Sequence, residues 1–149
     1  MDKKSKFLLL QVNDALFPIG GYSHSYGLET YIQKELVTNA AEAESYIRNK
    51  LTQNLLYNEL FFCRLAWERG QAQDMEGLQE LEEVLEAGKV PSEIREASKK
   101  MGSRFAKTLK NCGIVYETPV FLRYLEKKKN GSVHHVIAYG IFCSSIGIS

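Results

Sequence analysis

The sequence has few of the residues that cross-link or interrupt a fold, with only three cysteines and three prolines among 149 residues. Cys63, Cys112 and Cys143 are widely separated and odd in number, so a disulfide framework and a CxxC metal or redox motif are both absent. We expect buried thiols in a reducing compartment. A hydrophobic content of 44% suffices for one buried core, so a single domain is predicted.

The sequence also lacks the patterns of several functional classes. A formal net charge of +1 argues against a general polyanion binder. The GxxxxGKS/T and GxGxxG patterns are missing, which argues against nucleotide binding. The apolar run after the basic start is too short for a signal peptide, and no stretch reaches the length of a membrane span. We therefore expect a soluble, cytoplasmic protein.

Histidine is scarce, with three in the whole chain. His134 and His135 are adjacent and cannot form the i, i+4 pair that chelates a metal. His24 stands between Ser23 and Ser25, but neighbours along a helix point to different faces, so helix capping explains the serines better than nucleophilic catalysis. The sequence predicts neither a metal site nor a catalytic site.

Apolar residues recur at spacings of three and four along most of the chain, which predicts an all-α helical bundle. A long helix is predicted from about residue 39 to 69, amphipathic at first and buried nearly all round from Leu60 to Trp67. Asp74 is predicted to cap a helix that ends at Gly88, and Pro91 to begin another that stops near Gly113. In this last helix the predicted inward residues are Ile94, Ala97, Met101, Phe105 and Leu109.

The segment after Pro119 is ambiguous. Asn130 and Gly131 form the strongest short hairpin signal, and the flanking runs could be two strands. Helical spacing of the apolar residues on both sides, and the lack of a third strand, favour two helices instead.

The segment 14–29 fits neither a simple helix nor a simple strand. Pro18, Gly20 and Gly21 interrupt regular structure, yet the surrounding residues are too apolar for a solvated loop. We expect a packed turn that leads, near Ser23 or Ser25, into a helix through Leu36.

Charge is unevenly distributed between two neighbouring segments. Residues 74–86 carry six acidic side chains and no basic one, whereas residues 89–110 carry seven basic side chains and two acidic ones. Helical spacing predicts a basic stripe made of Arg95, Lys99, Lys100, Arg104 and Lys107. A solvated helix face and a partner-docking surface both remain open for it.

The run FLLLQVNDALFPIGGYSHSYGLETYIQKELV at residues 7–37 closely resembles the amino-terminal region of the UreF family of urease accessory proteins. The resemblance continues in order through PSEIREAS from Pro91, GSRFAKTL from Gly102 and HHVIAYGIFCSSIGI near the end. It implies an all-helical, non-enzymatic protein that dimerises and bridges UreD, also called UreH, to the GTPase UreG. It further implies that the assembly delivers nickel to apo-urease, with nickel and GTP handled by the partner proteins.

The resemblance also suggests partner-binding residues. The family's signature aromatic position corresponds to Tyr22, and Glu29 closes the same block. Arg95 and Arg104 match basic positions of two later blocks, although either arginine could instead pair with Glu29 or with the acidic stretch. The full set of candidates is Gly20, Gly21, Tyr22, Ser23, His24, Glu29, Arg95 and Arg104.

Two other functional classes remain as alternatives. One is a small helical metal-dependent hydrolase that uses His24, Glu29 and His134 or His135; the other is a helical nucleic-acid-binding module that uses the basic stripe. The resemblance also suggests that the chain lacks C-terminal helices of the family, so we expect exposed apolar surface.

Overall fold

All regular structure in the computed structural model is helical within residues 2–21, 27–128 and 132–148, which are the residues that the structure describes. The prediction of an all-α fold is confirmed. The α-helices are α1 (Lys3–Val12), α2 (Leu28–Gln33), α3 (Ala40–Asn49), α4 (Phe61–Gln71), α5 (Met75–Gly88), α6 (Ser92–Asn111), α7 (Val120–Lys127) and α8 (His135–Ser145). A π-helical segment, Lys50–Leu60, joins α3 to α4.

The long helix predicted from about residue 39 is present as the continuous run of α3, the π-helical segment and α4. Asn39 caps it, because its side-chain oxygen accepts a hydrogen bond from the backbone N–H of Glu42 at 3.0 Å. Hydrogen bonds in the π-helical segment span five residues, as from the Phe61 N–H to the Leu56 carbonyl. The wider turn puts residues four and five apart on one face.

The prediction that the second half of this run is buried nearly all round is wrong. Ala66 is fully buried, but Leu60 and Phe61 are 53% and 50% exposed. Apolar density alone cannot show which side of a helix has a neighbour to pack against. Here the later part, α4, packs most extensively on the rest of the protein, chiefly on α8 and α5.

Helix α5 follows its prediction closely. Asp74 caps it, with a carboxylate oxygen 2.9 Å from the Gly77 nitrogen, and the helix ends at Gly88. Leu78 and Leu85 are buried in the core. The periodicity and the capping residue were therefore sufficient to locate this element.

Helix α6 starts directly after Pro91 and stops before Gly113, as predicted. Phe105 and Leu109 are buried, but Ile94 and Ala97 are exposed, which corrects the prediction that they face inward. The first turns of α6 extend past the core and form a wall of an open cavity.

The two segments on either side of residues 129–131 are the helices α7 and α8, so the choice of helices over a hairpin is confirmed. Asn130 and Gly131 lie outside the described residues. Helix α8 is buried along almost its whole length and contacts α4, α6 and α7. A Cβ on Gly140 would be 2.9 Å from the Ala66 Cβ, so glycine is what lets α8 approach α4 so closely.

The expectation of buried thiols holds only in part. Cys143 is buried and Cys63 is half-buried, but Cys112, at the end of α6, is exposed. Burial raises the pKa of Cys63 to about 11 and that of Cys143 to about 12, so both thiols stay protonated at neutral pH.

Candidate partner-binding surface

The predicted packed turn is built against α6. Phe17 makes an edge-to-face contact with Phe105, with ring centroids 6.1 Å apart, and Ile19 also packs on the core. Leu16, in contrast, is 91% exposed. The turn is therefore anchored by alternate apolar residues and presents the rest to solvent.

Two of the predicted candidates, Gly20 and Arg104, lie together. Gly20 has a φ of 73°, and the Arg104 guanidinium occupies the space that a Cβ on this glycine would fill. A Cβ on Gly21 would be 3.2 Å from the Met101 Cε. Both glycines thus let the turn lie directly on α6, with Arg104 exposed beside it.

The next three candidates, Tyr22, Ser23 and His24, lie outside the described residues. The helix expected near Ser23 or Ser25 is described from Leu28, with Gly27 at its N-cap position, and it ends at Gln33 rather than Leu36. Glu29 lies exposed in the first turn of this helix, where a carboxylate interacts favourably with the helix dipole.

Arg95 is held in an internal ion pair. Its Nε lies 3.3 Å from Glu86 of α5, and its Nη1 donates to the Lys89 carbonyl at 3.2 Å. This is the pairing with the acidic stretch that the sequence left open.

The predicted basic stripe is therefore divided. Lys99, like Arg95, turns toward α5 and bonds Glu86 at 3.0 Å, as well as Glu96 at 2.7 Å. The hydrogen bonds to these two carboxylates raise the pKa of Lys99, and the bond to Glu96 has the larger effect. Lys100, Arg104 and Lys107 are exposed, and no ion pair is found for them among the described residues. We call these three side chains the basic trio.

An exposed row of apolar side chains follows the long helical run. Exposed apolar surface was expected from the sequence, but its position on this helix was not. None of the residues of α3 or of the π-helical segment is buried. The row, which we call the apolar ridge, consists of Ile47, Leu51, Leu55, Leu56, Tyr57, Leu60 and Phe61. Their exposed fractions run from 37% to 60%. A row of this kind on one helix is unusual for a free surface and is typical of a protein–protein interface.

A cavity of about 720 Å³ opens between the π-helical segment, the first turns of α6 and the start of α8. Leu55, Leu60, Ile94, Met101 and Val136 supply most of its apolar wall. Its polar groups include Ser98, His135 and a short ion pair between Lys89 and Glu59. A volume of this size falls in the range of small-molecule sites.

The two adjacent histidines have different surroundings. His134 is 1% exposed and its ring bonds Glu86 at 2.7 Å and Ser98 at 3.1 Å. His135 packs edge-on against Phe105 with centroids 5.3 Å apart, and burial lowers its pKa to about 4. Within the described ranges, no group of three or more histidine, cysteine or carboxylate side chains is placed to hold a metal ion.

In the described part of the chain, no helix is both long and apolar enough to cross a membrane.

The amino-acid sequence of the chain is similar to that of a known protein family. A sequence model of the UreF family matches residues 37–149, which is most of the chain. The chain belongs to the UreF family. The match to the family model begins at residue 37, after the described turn at residues 14–21. The similarity of this turn to the family therefore rests on the individual relatives.

Three of these UreF relatives are all named urease accessory protein UreF. The one from Corynebacterium glutamicum (strain R) is 33% identical over 150 residues, with 99% of this chain and 64% of the relative covered. For Bacillus sp. (strain TB-90), identity is 34% over 135 residues, with 89% and 58% covered. For Haemophilus influenzae (strain PittGG), it is 34% over 144 residues, with 95% and 60% covered. The chain thus spans about three fifths of the length of these relatives.

Proposed function

We propose that this chain is a non-enzymatic scaffold in urease maturation, which bridges UreD/UreH and the GTPase UreG and supports nickel delivery into apo-urease. Membership of the UreF family gives the general role, that of a urease accessory protein. The proposal leaves nickel and GTP to the partner proteins and includes a homodimer.

The observation that carries this proposal is the apolar ridge. A row of half-exposed leucines and aromatic side chains gains free energy when a partner removes it from water, by about 25 cal/mol for each Å² buried. Aromatic residues such as Tyr57 and Phe61 are also the kind that dominates binding energy at interfaces. A scaffold needs such surface in its free state.

The basic trio gives the scaffold a second, charged surface beside the turn. Its side chains do not pair with acidic groups of the described part of the chain, so they remain available to an acidic partner. Charge of this kind speeds the encounter of two proteins more than it stabilises the complex. We assign the ridge to affinity and the basic trio to association rate.

Co-purification of this chain with UreD/UreH and UreG, with and without GTP, tests the proposal. Leu56→Asp places a charge on the ridge, and Val84→Asp is its matched control, because Val84 is 60% exposed on α5, away from the ridge. We expect the wild-type chain and Val84→Asp to retain both partners and Leu56→Asp to lose at least one. Failure of the wild-type chain to retain either partner would contradict the proposal.

A further inference from the structure

The apolar ridge and the cavity beside it form one continuous groove. Leu55 and Leu60 belong to the ridge and also line the cavity. Ile47 and Leu51 precede Leu55 in steps of four residues, so these side chains lie along one side of the helical run. A partner that covers the ridge therefore meets the cavity at the end of the same row.

Helix α6 supplies the opposite wall of this groove. Ile94, Ala97 and Met101 line the cavity, and their spacing of three and four residues places them along one side of α6. Ile94 is 42% exposed, and Ala97 is exposed as well. The half-buried side chains of Val136 and Tyr139, at the start of α8, complete the lining. The groove is thus apolar on three sides and open to solvent.

The shape of the groove fits a helix better than an extended peptide. From Ile47 to Leu60 the helical run rises by at most about 20 Å, which matches a partner helix of about four turns. The described ranges contain no strand whose edge could pair with an extended segment. An amphipathic helix that lays its apolar face into a groove is a common mode of recognition and uses anchor side chains at helical spacing. The cavity, at about 720 Å³, has room for such an anchor.

The charges along α6 favour acidic side chains on that partner helix. The basic trio begins three residues after Ala97 and continues along the same side of α6, next to the groove. Two of the charged residues that line the cavity, Glu59 and Lys89, are paired with each other. The third, Glu93, offsets one of the three positive charges of the trio. This side of the groove therefore keeps a positive excess.

We propose that the groove binds an acidic amphipathic helix of a partner protein. The apolar face of this helix lies on the ridge, one large apolar side chain enters the cavity, and its carboxylates face the basic trio. This assignment rests on the proposed scaffold function, because it specifies the kind of segment that the ridge receives. Burial of apolar surface supplies most of the affinity, whereas the charges determine which helix is accepted.

Two fluorescein-labelled model peptides of about 14 residues test the preference for acidic helices. Both carry leucine at helical spacings and a central tryptophan, and the remaining positions are glutamate in one peptide and lysine in the other. Fluorescence anisotropy with the full wild-type chain measures the two Kd values. We expect the acidic peptide to bind at least about 10-fold tighter at low salt, and the difference to shrink at high salt. Equal affinities, tighter binding of the basic peptide or no binding of either would overturn the proposal.

A tryptophan placed in the cavity tests the anchor position. Ala97→Trp fills the cavity from α6, and Ala87→Trp makes the same change on an exposed position of α5 that does not line the cavity. We expect Ala97→Trp to weaken binding of the acidic peptide by about 10-fold or more and Ala87→Trp to leave its Kd unchanged. Both alanines are exposed, so circular dichroism should show the wild-type helical content in each variant. Equal Kd values for the two variants would contradict the assignment of the cavity.

Light scattering and co-purification separate the other outcomes. A dimer of the free chain that Ala97→Trp converts to a monomer would assign the groove to a second copy of this chain and overturn the proposal. In co-purification, we expect Ala97→Trp, like Leu56→Asp, to lose at least one of UreD/UreH and UreG. If Leu56→Asp loses a partner and Ala97→Trp retains both, the scaffold function stands and the groove assignment fails. If the wild-type chain retains neither partner, the scaffold function fails, and the peptide affinities still decide whether the groove accepts an acidic helix.

Discussion

Helix α8 and the apolar ridge are both rich in large apolar residues, yet one is the most buried part of the molecule and the other is among the most exposed. Phe142 on α8 is 0% exposed, whereas Phe61 on the ridge is 50% exposed. The difference lies in their neighbours, because α8 contacts α4, α6 and α7, while the π-helical segment contacts mainly α3 and α4, the helices before and after it in the same run. Apolar content therefore marks a surface that is buried somewhere, in the core or against a partner.

The largest expected effect comes from the same substitution made in both regions. Phe142→Ala removes a ring that contacts Phe105, Tyr116 and Phe121, so we expect a loss of about 3–5 kcal/mol in the free energy of unfolding. Phe61→Ala should cost less than about 1 kcal/mol, because half of the ring is already in water. Urea denaturation measures both, and equal losses would remove the distinction between core and ridge.

The next largest expected effect is the pH dependence of the free energy of unfolding, which arises from a residue of α8. Burial lowers the pKa of His135 from 6.5 to about 4. Between these two pH values, His135 is protonated in the unfolded chain but not in the folded chain. The free energy of unfolding therefore falls as the pH drops from about 6.5 toward 4. We expect this group to remove on the order of 3 kcal/mol over that range.

His135→Gln is the matched variant for this pH effect. It removes the titrating group, so its unfolding free energy should decline less steeply over the same pH range than that of the wild-type chain. Parallel curves for the two proteins would show that burial of His135 does not govern the response.

Two glycine-to-alanine substitutions compare a buried contact with an open surface, because each adds a single methyl group. Gly140→Ala would press a methyl group into the α4–α8 contact, 2.9 Å from the Ala66 Cβ, and should cost about 1–3 kcal/mol. Gly88→Ala meets no atom within 4 Å and should stabilise the end of α5 by up to about 1 kcal/mol. Thermal unfolding of the two variants would show opposite shifts, and shifts of the same sign would contradict the packing described for α8.

The smallest effect concerns rates rather than stability. Reversal of the basic trio, as Lys100→Glu, Arg104→Glu and Lys107→Glu, should slow association with an acidic partner about 10-fold at low salt and weaken its salt dependence. The control reverses Lys3, Lys4 and Lys6 of α1, with the same change in net charge. Stopped-flow association with UreG or UreD/UreH measures both, and equal slowing would mean that only the net charge matters.

Local signals predicted the elements well. Asp74, Pro91 and the spacing of Leu78 and Leu85 located α5 and α6, and the lack of a third strand favoured helices after Pro119. These features depend on residues close together in sequence, where capping and periodicity operate.

Contacts between distant residues were beyond the sequence. Ile94 and Phe105 belong to the same apolar repeat of α6. Only the structure shows that α8 covers Phe105 and that Ile94 lies at the cavity. The Gly20–Arg104 contact and the Ser98–His134–Glu86 cluster likewise join residues from separate elements. Where the protein meets its partners depends on such pairings, so the candidate surface was only partly predictable.

Hydrogen–deuterium exchange over residues 47–61 tests most directly whether the apolar ridge is a partner surface. The chain is compared alone and in complex with UreD/UreH and UreG, with residues 135–145 of α8 as the internal reference. We predict fast exchange across the ridge in the free chain and clear protection in the complex, while α8 is slow in both. A complex that forms while the ridge exchanges as fast as before would contradict the account.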